Sequence, residues 1–253
     1  VSFMGSTTKN EVLKLTATSP EIISGVRIIK EGYPINTFYM SKSAGVDPAT
    51  GAQLYWVYDK DENGNPGEPY ISSDYSKATN SKFYLGDRIP DLYGSIGTDL
   101  TWKGLSLSVL TTYSLGGKIY DSLYTGSMNN MYFNTNFNAH ALRRWQQPGD
   151  ITDVPRIDAT ASHHTNVSQG TSTRWLTSSD YLNLRSVSLA YSLPKAWLKV
   201  LGGIKSTRIN LTAENLFMLK ARQGLNPQAN FTGLVYNEYM PARTITIGLN
   251  VGF

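Results

Sequence analysis

Thr244-Ile-Thr-Ile-Gly-Leu-Asn-Val-Gly-Phe253 (TITIGLNVGF) alternates apolar with polar or small residues at every step. Side chains of a strand point to opposite faces in turn, so Ile245, Ile247, Leu249, Val251 and Phe253 share one face. Thr244, Thr246, Gly248, Asn250 and Gly252 share the other. A soluble domain that ends on a bare apolar strand presents an aggregation-prone edge. A transmembrane β-barrel ends this way naturally: the final strand pairs with the first, one face meets lipid, and a terminal aromatic sits at the interface. Alternation also marks the edge strand of a soluble sandwich, so that reading stays open at this point. The expectation is an all-β, antiparallel transmembrane barrel in which Ile245, Ile247, Leu249, Val251 and Phe253 form the lipid face and help close the wall.

Further strand signals lie upstream, bounded by Gly, Pro, Asn and Asp. Val26 to Lys30, Thr37 to Lys42 and Leu54 to Asp59 come first. Gly94 to Lys103 and Leu105 to Tyr113 read as a hairpin about Lys103-Gly104, with Leu105, Leu107 and Val109 on the lipid side. Leu182 to Leu193, Thr207 to Phe217 and the terminal strand follow. In Leu182 to Leu193 the apolar set changes phase, from Leu182 and Leu184 to Val187, Leu189 and Tyr191, which predicts a bulge. The count is roughly eight to ten strands, and the longer ones have the ~10 residues that a tilted strand needs to cross hydrocarbon. Pro194 to Gly202 reads as a short amphipathic turn, with Trp197, Leu198 and Leu201 packing under the rim. Lys60 to Asp91 and Ser122 to Asp180 are long polar connections. Short turns on one side and long loops on the other are the asymmetry of outer-membrane barrels.

Composition narrows the field. The chain has 253 residues, a net charge of +4, no cysteine, and 11% aromatic residues with 16 tyrosines. Without cysteine there are no disulfides, thiol nucleophiles or thiolate metal sites. No window approaches the ~18 consecutive apolar residues of a membrane helix. Arg143-Arg144 is the densest basic pair, so a nucleic-acid partner is not expected. Mean hydropathy is −0.28, a value that says little for a barrel, whose strands dilute apolar residues with polar ones.

Candidate sites are few. Asp59-Lys-Asp61-Glu-Asn63-Gly64 matches the opening of a calcium loop, in which oxygen ligands alternate before a glycine turn. Position twelve is Tyr70 where a bidentate Glu belongs, and Glu68 comes two residues early, so a standard EF-hand is disfavoured. A looser Ca2+ site at Asp59, Asp61 and Asn63 competes with a solvated Asn/Gly turn. His163-His164 has no carboxylate spacing to complete a metal or acid/base site. No nucleophile elbow, zinc motif or phosphate loop occurs, so the chain is not expected to be an enzyme or to carry a cofactor. Tyr132, Phe133, Phe137 and Trp145 interleave with Asn134 and its neighbouring asparagines. Aromatic faces with amides suit a polar ligand or a partner protein, and equally suit loop-on-loop packing.

Seven segments in order resemble the C-terminal portion of SusC/RagA-type TonB-dependent outer-membrane transporters of Bacteroidetes. They are Gly45 to Tyr55 (GVDPATGAQLY), Gly86-Asp-Arg-Ile-Pro-Asp-Leu-Tyr-Gly94 with Thr101-Trp-Lys-Gly-Leu-Ser-Leu107, Gly116-Gly-Lys-Ile-Tyr-Asp121, Tyr181 to Pro194, Ala213-Glu-Asn-Leu-Phe217, Gly224-Leu-Asn-Pro227, and Pro241 to Phe253. Asn226 stands where the family usually has Asp, and Asn65 departs from its acidic loop. The resemblance implies that residues 1–253 are the C-terminal strands of a plugged, 22-stranded barrel with long extracellular loops. It implies a bacterial outer-membrane nutrient importer for glycans or peptides. The implied partners are the plug and N-terminal strands, a SusD-like surface lipoprotein, TonB through the plug-bearing part, and lipid or lipopolysaccharide. A secreted lectin-like binding module and a small complete barrel remain as alternatives.

Overall fold

The computed structural model describes residues 1–128, 136–157, 170–198 and 203–253. In chain order its elements are β1 (Ser2–Ser6), β2 (Glu21–Ser24), β3 (Arg27–Lys30), β4 (Thr37–Val46), β5 (Gln53–Val57), β6 (Tyr70–Ser72), α1 (Tyr75–Asn80) and β7 (Lys82–Tyr84). There follow β8 (Leu92–Trp102), β9 (Leu105–Leu115), β10 (Lys118–Asp121), α2 (Ser122–Met128) and short 3-10 turns at Ala139–Arg143 and Thr173–Trp175. The chain continues through β11 (Leu176–Ser178), β12 (Tyr181–Ser192), α3 (Lys195–Leu198), β13 (Ser206–Lys220), β14 (Leu234–Val235) and β15 (Thr244–Gly252).

The long strands form one antiparallel wall in the order β1-β8-β9-β12-β13-β15. Its register carries the dyad pattern across strands. Trp102, Leu105, Tyr191, Ile209 and Leu249 make one row; Leu100, Leu107, Leu189, Leu211 and Ile247 make the next. Thr98, Val109, Val187, Ala213 and Ile245 make a third. Directly paired residues of antiparallel strands share a face, so these rows add up to one apolar surface. The opposite surface holds Asp99, Ser108, Ser188, Thr212 and Thr246 in one row and Thr101, Ser106, Ala190, Asn210 and Gly248 in another. There Ser108 donates to Asp99, Ser188 and Thr212 share a hydrogen bond at 3.2 Å, and Asn250 donates to Asn210 at 3.3 Å.

Turn chemistry sets the wall's connections. The β8–β9 hairpin closes on Lys103 and Gly104, whose φ angles of 45° and 86° match the twist of the strands they join. The predicted bulge is present: pairing slips between Leu184 and Ser186, where Arg185 faces both Asn215 and Leu216 of β13. Asn215 takes φ 52°, a left-handed conformation that asparagine tolerates better than most residues. Its side chain accepts from Arg185 and donates to the Ala242 carbonyl, which ties the bulge to the chain entering β15.

One expectation is corrected. Among the described residues the wall has six strands, fewer than the eight to ten counted, because Val26–Lys30, Thr37–Lys42 and Leu54–Asp59 pair elsewhere. The sheet is open within the described residues, β15 bonding only to β13 and β1 only to β8, as expected of part of a larger barrel and not of a small complete one.

All three long connections, β1 to β8, β9 to β12 and β13 to β15, leave the same end of the wall, and the short turns lie at the other. The connections fold together. A second sheet runs β2-β3-β4-β5-β6 with β7 on β4, and a third, β11-β10-β14, draws on two connections. Their shared core joins Val26, Phe38 and Met40 from the first connection to Tyr120, Met128, Val154 and Trp175 from the second, with Leu234 of the third packed against it. Aromatic and β-branched residues in short runs, which look polar on average, thus bury a core at the rim. Trp175 is fully buried; its indole donates to the Gly170 carbonyl at 3.1 Å and meets Tyr124 edge to face.

Candidate functional site

The wall presents two surfaces of opposite chemistry. Leu105 to Leu115 spans eleven residues. At ~3.4 Å per step this is ~34 Å along the strand, or ~26 Å once projected at a tilt of about 40°. The apolar band of an outer-membrane barrel is ~25 Å tall. On that face Ile247 is 77% exposed and Leu249 65%. A contiguous apolar surface this open needs a nonpolar partner. Ile245, Ile247, Leu249 and Val251 all lie on it, and Phe253 follows the end of β15 and is exposed. Leu105, Leu107 and Val109 lie there as well.

The rim module sits over the end of the wall from which the loops leave, and charged stitches join its three connections. Arg222 of the third pairs with the buried Asp121 of the second at 3.0 Å, its guanidinium 3.6 Å from the centre of the Tyr124 ring. Arg88 of the first donates to the Pro227 carbonyl of the third. Arg174 donates to Gln53 at 3.2 Å and stacks on Trp175 at 4.7 Å. Burial pulls the Arg174 guanidinium down to about 10, still charged at neutral pH.

The sequence motifs mark where segments meet. In Gly45 to Gly51, Asp47 accepts from the Ala49 amide and the Thr50 hydroxyl, which folds the β4–β5 turn and holds the Asp47 carboxyl below its ordinary value. Gly116 and Gly117 both have positive φ at the junction of wall and rim. A β-carbon on Gly116 would lie 2.2 Å from the Asp91 carboxylate, and one on Gly117 would lie 2.6 Å from the Arg88 carbonyl oxygen. Asn226 accepts from the Gln228 amide and donates to the Tyr239 carbonyl at 3.2 Å. The second bond needs an amide nitrogen, which the family's usual Asp lacks.

The predicted site residues do not converge. Asp59, Asp61 and Asn63 lie on an exposed turn between β5 and β6. Asp61 accepts from the backbone of Asn63 and Asn65 and from the Asn65 amide, and these bonds lower its pKa from the ordinary 3.8. Asp59 accepts from Tyr70, the residue in place of the missing bidentate Glu, and Lys77 lies 3.1 Å from the same hydroxyl. Among the described residues no group of three or more His, Asp or Glu is placed to hold a metal. Trp145 lies against Gly51, and its indole donates to the Pro48 carbonyl at 2.9 Å. Phe137 is exposed. The short turn α3 lies at the end of the wall opposite the rim, where Leu198 is buried and Trp197 is exposed. Tyr132, Phe133, Asn134, Leu201 and the His163-His164 pair lie outside the described residues.

Sequence reasoning did not single out the cleft where the rim meets the polar face of the wall. It is ~500 Å3 in volume. Its lining includes Arg88, Tyr93, Ser114, Tyr181, Pro227 and Phe231 and no acidic residue. Arg88 was legible only as part of the Gly86 to Gly94 motif.

No family profile matches the chain. TonB-dependent receptor P3 of Formosa agariphila is 26% identical over the whole chain, and receptor P39 of the same organism is 27% identical over 70% of it. The chain spans about a quarter (26%) of the length of the first and 17% of the second. Among solved structures, the RagAB peptide transporter covers 96% of the chain at 26% identity with a TM-score of 0.78, the match taking in 26% of its own chain. The RagAB importer in its "open-open" state superposes with a TM-score of 0.71 at 24% identity, which speaks to fold alone. In sequence and in architecture, then, the chain is similar to TonB-dependent receptors of the SusC/RagA kind, and its long strands form the antiparallel wall of such a β-barrel, left open within this stretch.

Proposed function

We propose that residues 1–253 are the C-terminal wall and outer rim of a TonB-dependent outer-membrane importer that takes up peptides or glycans together with a SusD-like surface lipoprotein. One observation carries the reading: five rows of paired strands hold an apolar face on one side and a hydroxyl- and amide-lined face on the other, with every long connection gathered at one end. The apolar face meets lipid, the polar face borders the lumen, and the rim meets lid or substrate. The plug, the remaining strands and the TonB-contacting segment come from the rest of the protein. The chain performs no reaction; selectivity resides in lumen and loop side chains. Similarity to the RagAB peptide transporter and to TonB-dependent receptors supports this assignment.

The test is fractionation and uptake with the full-length protein in its own cells. It should be recovered from outer membranes only with detergent, bring a surface lipoprotein with it, and support uptake that stops when TonB is deleted. Recovery as a monodisperse protein in plain buffer would favour a secreted binding module and refute the importer.

A further inference from the structure

The cleft between rim and wall has an unusual electrostatic balance. Arg88 is partly buried, and burial lowers its pKa, offset in part by the neighbouring Tyr181. Among the described residues its one side-chain hydrogen bond goes from Nη2 to the Pro227 carbonyl. Nε is buried with no partner. Among the described residues Nη1 makes no hydrogen bond, and it is not among the sealed, unpaired atoms. A guanidinium has five N–H donors in a planar fork that matches a carboxylate, so a structural tie to one carbonyl leaves most of this one unspent. A partly buried cation with donors to spare suits an incoming anion.

The surroundings fit such a visitor. Tyr93, Ser114 and Tyr181 belong to one row of the wall, on its polar face and at the end where the loops leave. All three line the cleft together with Arg88, and each carries a hydroxyl. Phe231 and Pro227 close the cleft from the third connection with apolar surface. A site with one fixed charge, a few hydroxyls and aromatic or proline walls grips a charged group together with the ring or side chain that carries it. We propose that this cleft is a carboxylate-binding subsite at the mouth of the lumen, in which Arg88 takes the acid group of an incoming substrate. The inference rests on the importer reading and refines its substrate class. Two sources supply that chemistry: the C-terminal carboxylate of a peptide and the uronic acid of a glycan.

Isothermal titration on the full-length protein in detergent distinguishes them. The probes are a pentapeptide with a free C-terminus, its C-terminally amidated twin, a glucuronate-containing tetrasaccharide, and the same tetrasaccharide with its carboxyl reduced to the alcohol. One carboxylate probe should bind at least about tenfold more tightly than its neutral twin, the span expected for a charge-assisted hydrogen bond. Which pair shows the gap names the source. Arg88→Gln should abolish the gap and leave the affinity of the neutral twin in place. Arg88→Gln also loses the tie to Pro227, so Gln228→Glu serves as a second variant. It adds an acid to the lining, removes no bond of Arg88, and should weaken the carboxylate probe by a similar factor. Equal binding of both twins, no binding of either carboxylate probe at millimolar concentration, or a gap that survives both variants overturns the subsite. Titration needs neither TonB nor a bilayer, so a failed subsite leaves the uptake experiment standing, and a failed importer shows itself there instead.

Discussion

Val109 and Leu110 are neighbours on β9 with similar side chains and opposite fates. Val109 shares a row with Val187, Ala213 and Ile245 on the apolar face; Leu110 shares one with Ser186, Glu214 and Thr244 on the polar face. Val109 lies about midway between Leu105 and Leu115, near the centre of the band estimated above at ~26 Å. A lysine at the midplane of the lipid face costs about 2–4 kcal/mol, so Val109→Lys should lose that much. At about 1.36 kcal/mol per decade this is roughly a 30- to 800-fold shift in the folding equilibrium. Leu110→Lys reaches water and the Glu214 carboxylate, and should cost under about 1 kcal/mol. The assay is urea titration of the full-length protein folded into lipid vesicles, followed by tryptophan fluorescence and by heat-modifiable gel mobility. Equal losses for the two variants, or a larger loss for Leu110→Lys, would mean that hydrocarbon does not wet the Val109 face, and the barrel reading would fall.

Three further outcomes follow from the rim and the bulge. Trp175→Ala should destabilise the rim core by about 3–5 kcal/mol, because a fully buried indole and its bond to Gly170 are lost. Hydrogen exchange should then rise in β4 and β10 and stay unchanged in β9 and β12; uniform exchange would refute a separately cooperative rim. Asn215→Ala should cost about 1–3 kcal/mol by forcing alanine into a left-handed conformation and cutting the ties to Arg185 and Ala242. Asn215→Gly should recover the backbone part, and chemical denaturation that ranks the two equally would contradict this account. Hydrogen bonds to the ionised carboxylate depress the pKa of Asp61, so the turn they hold is intact at and above 3.8, the ordinary aspartate value, and is lost as pH falls through the depressed one. The amide NMR shifts of Asn63 and Asn65 should move together in that acid range, and a midpoint above 3.8 would be the wrong sign.

The wall was the legible part of this sequence. Period-two alternation survives averaging over ten residues, and the phase change after Leu184 marked the bulge to within one position. The Lys103-Gly104 turn was readable because few dipeptides suit both left-handed positions. The rim was not legible for the opposite reason. Phe38, Tyr120, Trp175 and Leu234 sit in runs too short for periodicity, and they meet only in three dimensions. Strands at Val26, Thr37 and Leu54 were seen as strands, but one local pattern serves a membrane wall and a small folded rim alike. Asp59 to Gly64 matched a ligand spacing; what the spacing could not show is that Tyr70 and the turn's own amides already engage its carboxylates. The Arg88 cleft escaped because its lining, which holds no acid, assembles from segments far apart in sequence.

The rim core draws on all three connections, and its ties cross long stretches of chain: Arg27 to the Thr232 carbonyl spans 205 residues and Arg88 to Pro227 spans 139. Such contacts are slow to form, because closing large loops costs entropy before any burial repays it. Phe38, Trp175 and Leu234 therefore have no enclosure until the hairpins stand side by side. On the importer reading proposed above, a polypeptide in transit carries these apolar side chains bare, and should need a holding chaperone for them as much as for the wall. Loop exchange meets the same coupling: one segment transplanted alone arrives without the side chains that the others contribute to its interior, so the rim has to be inherited, or engineered, as a single piece.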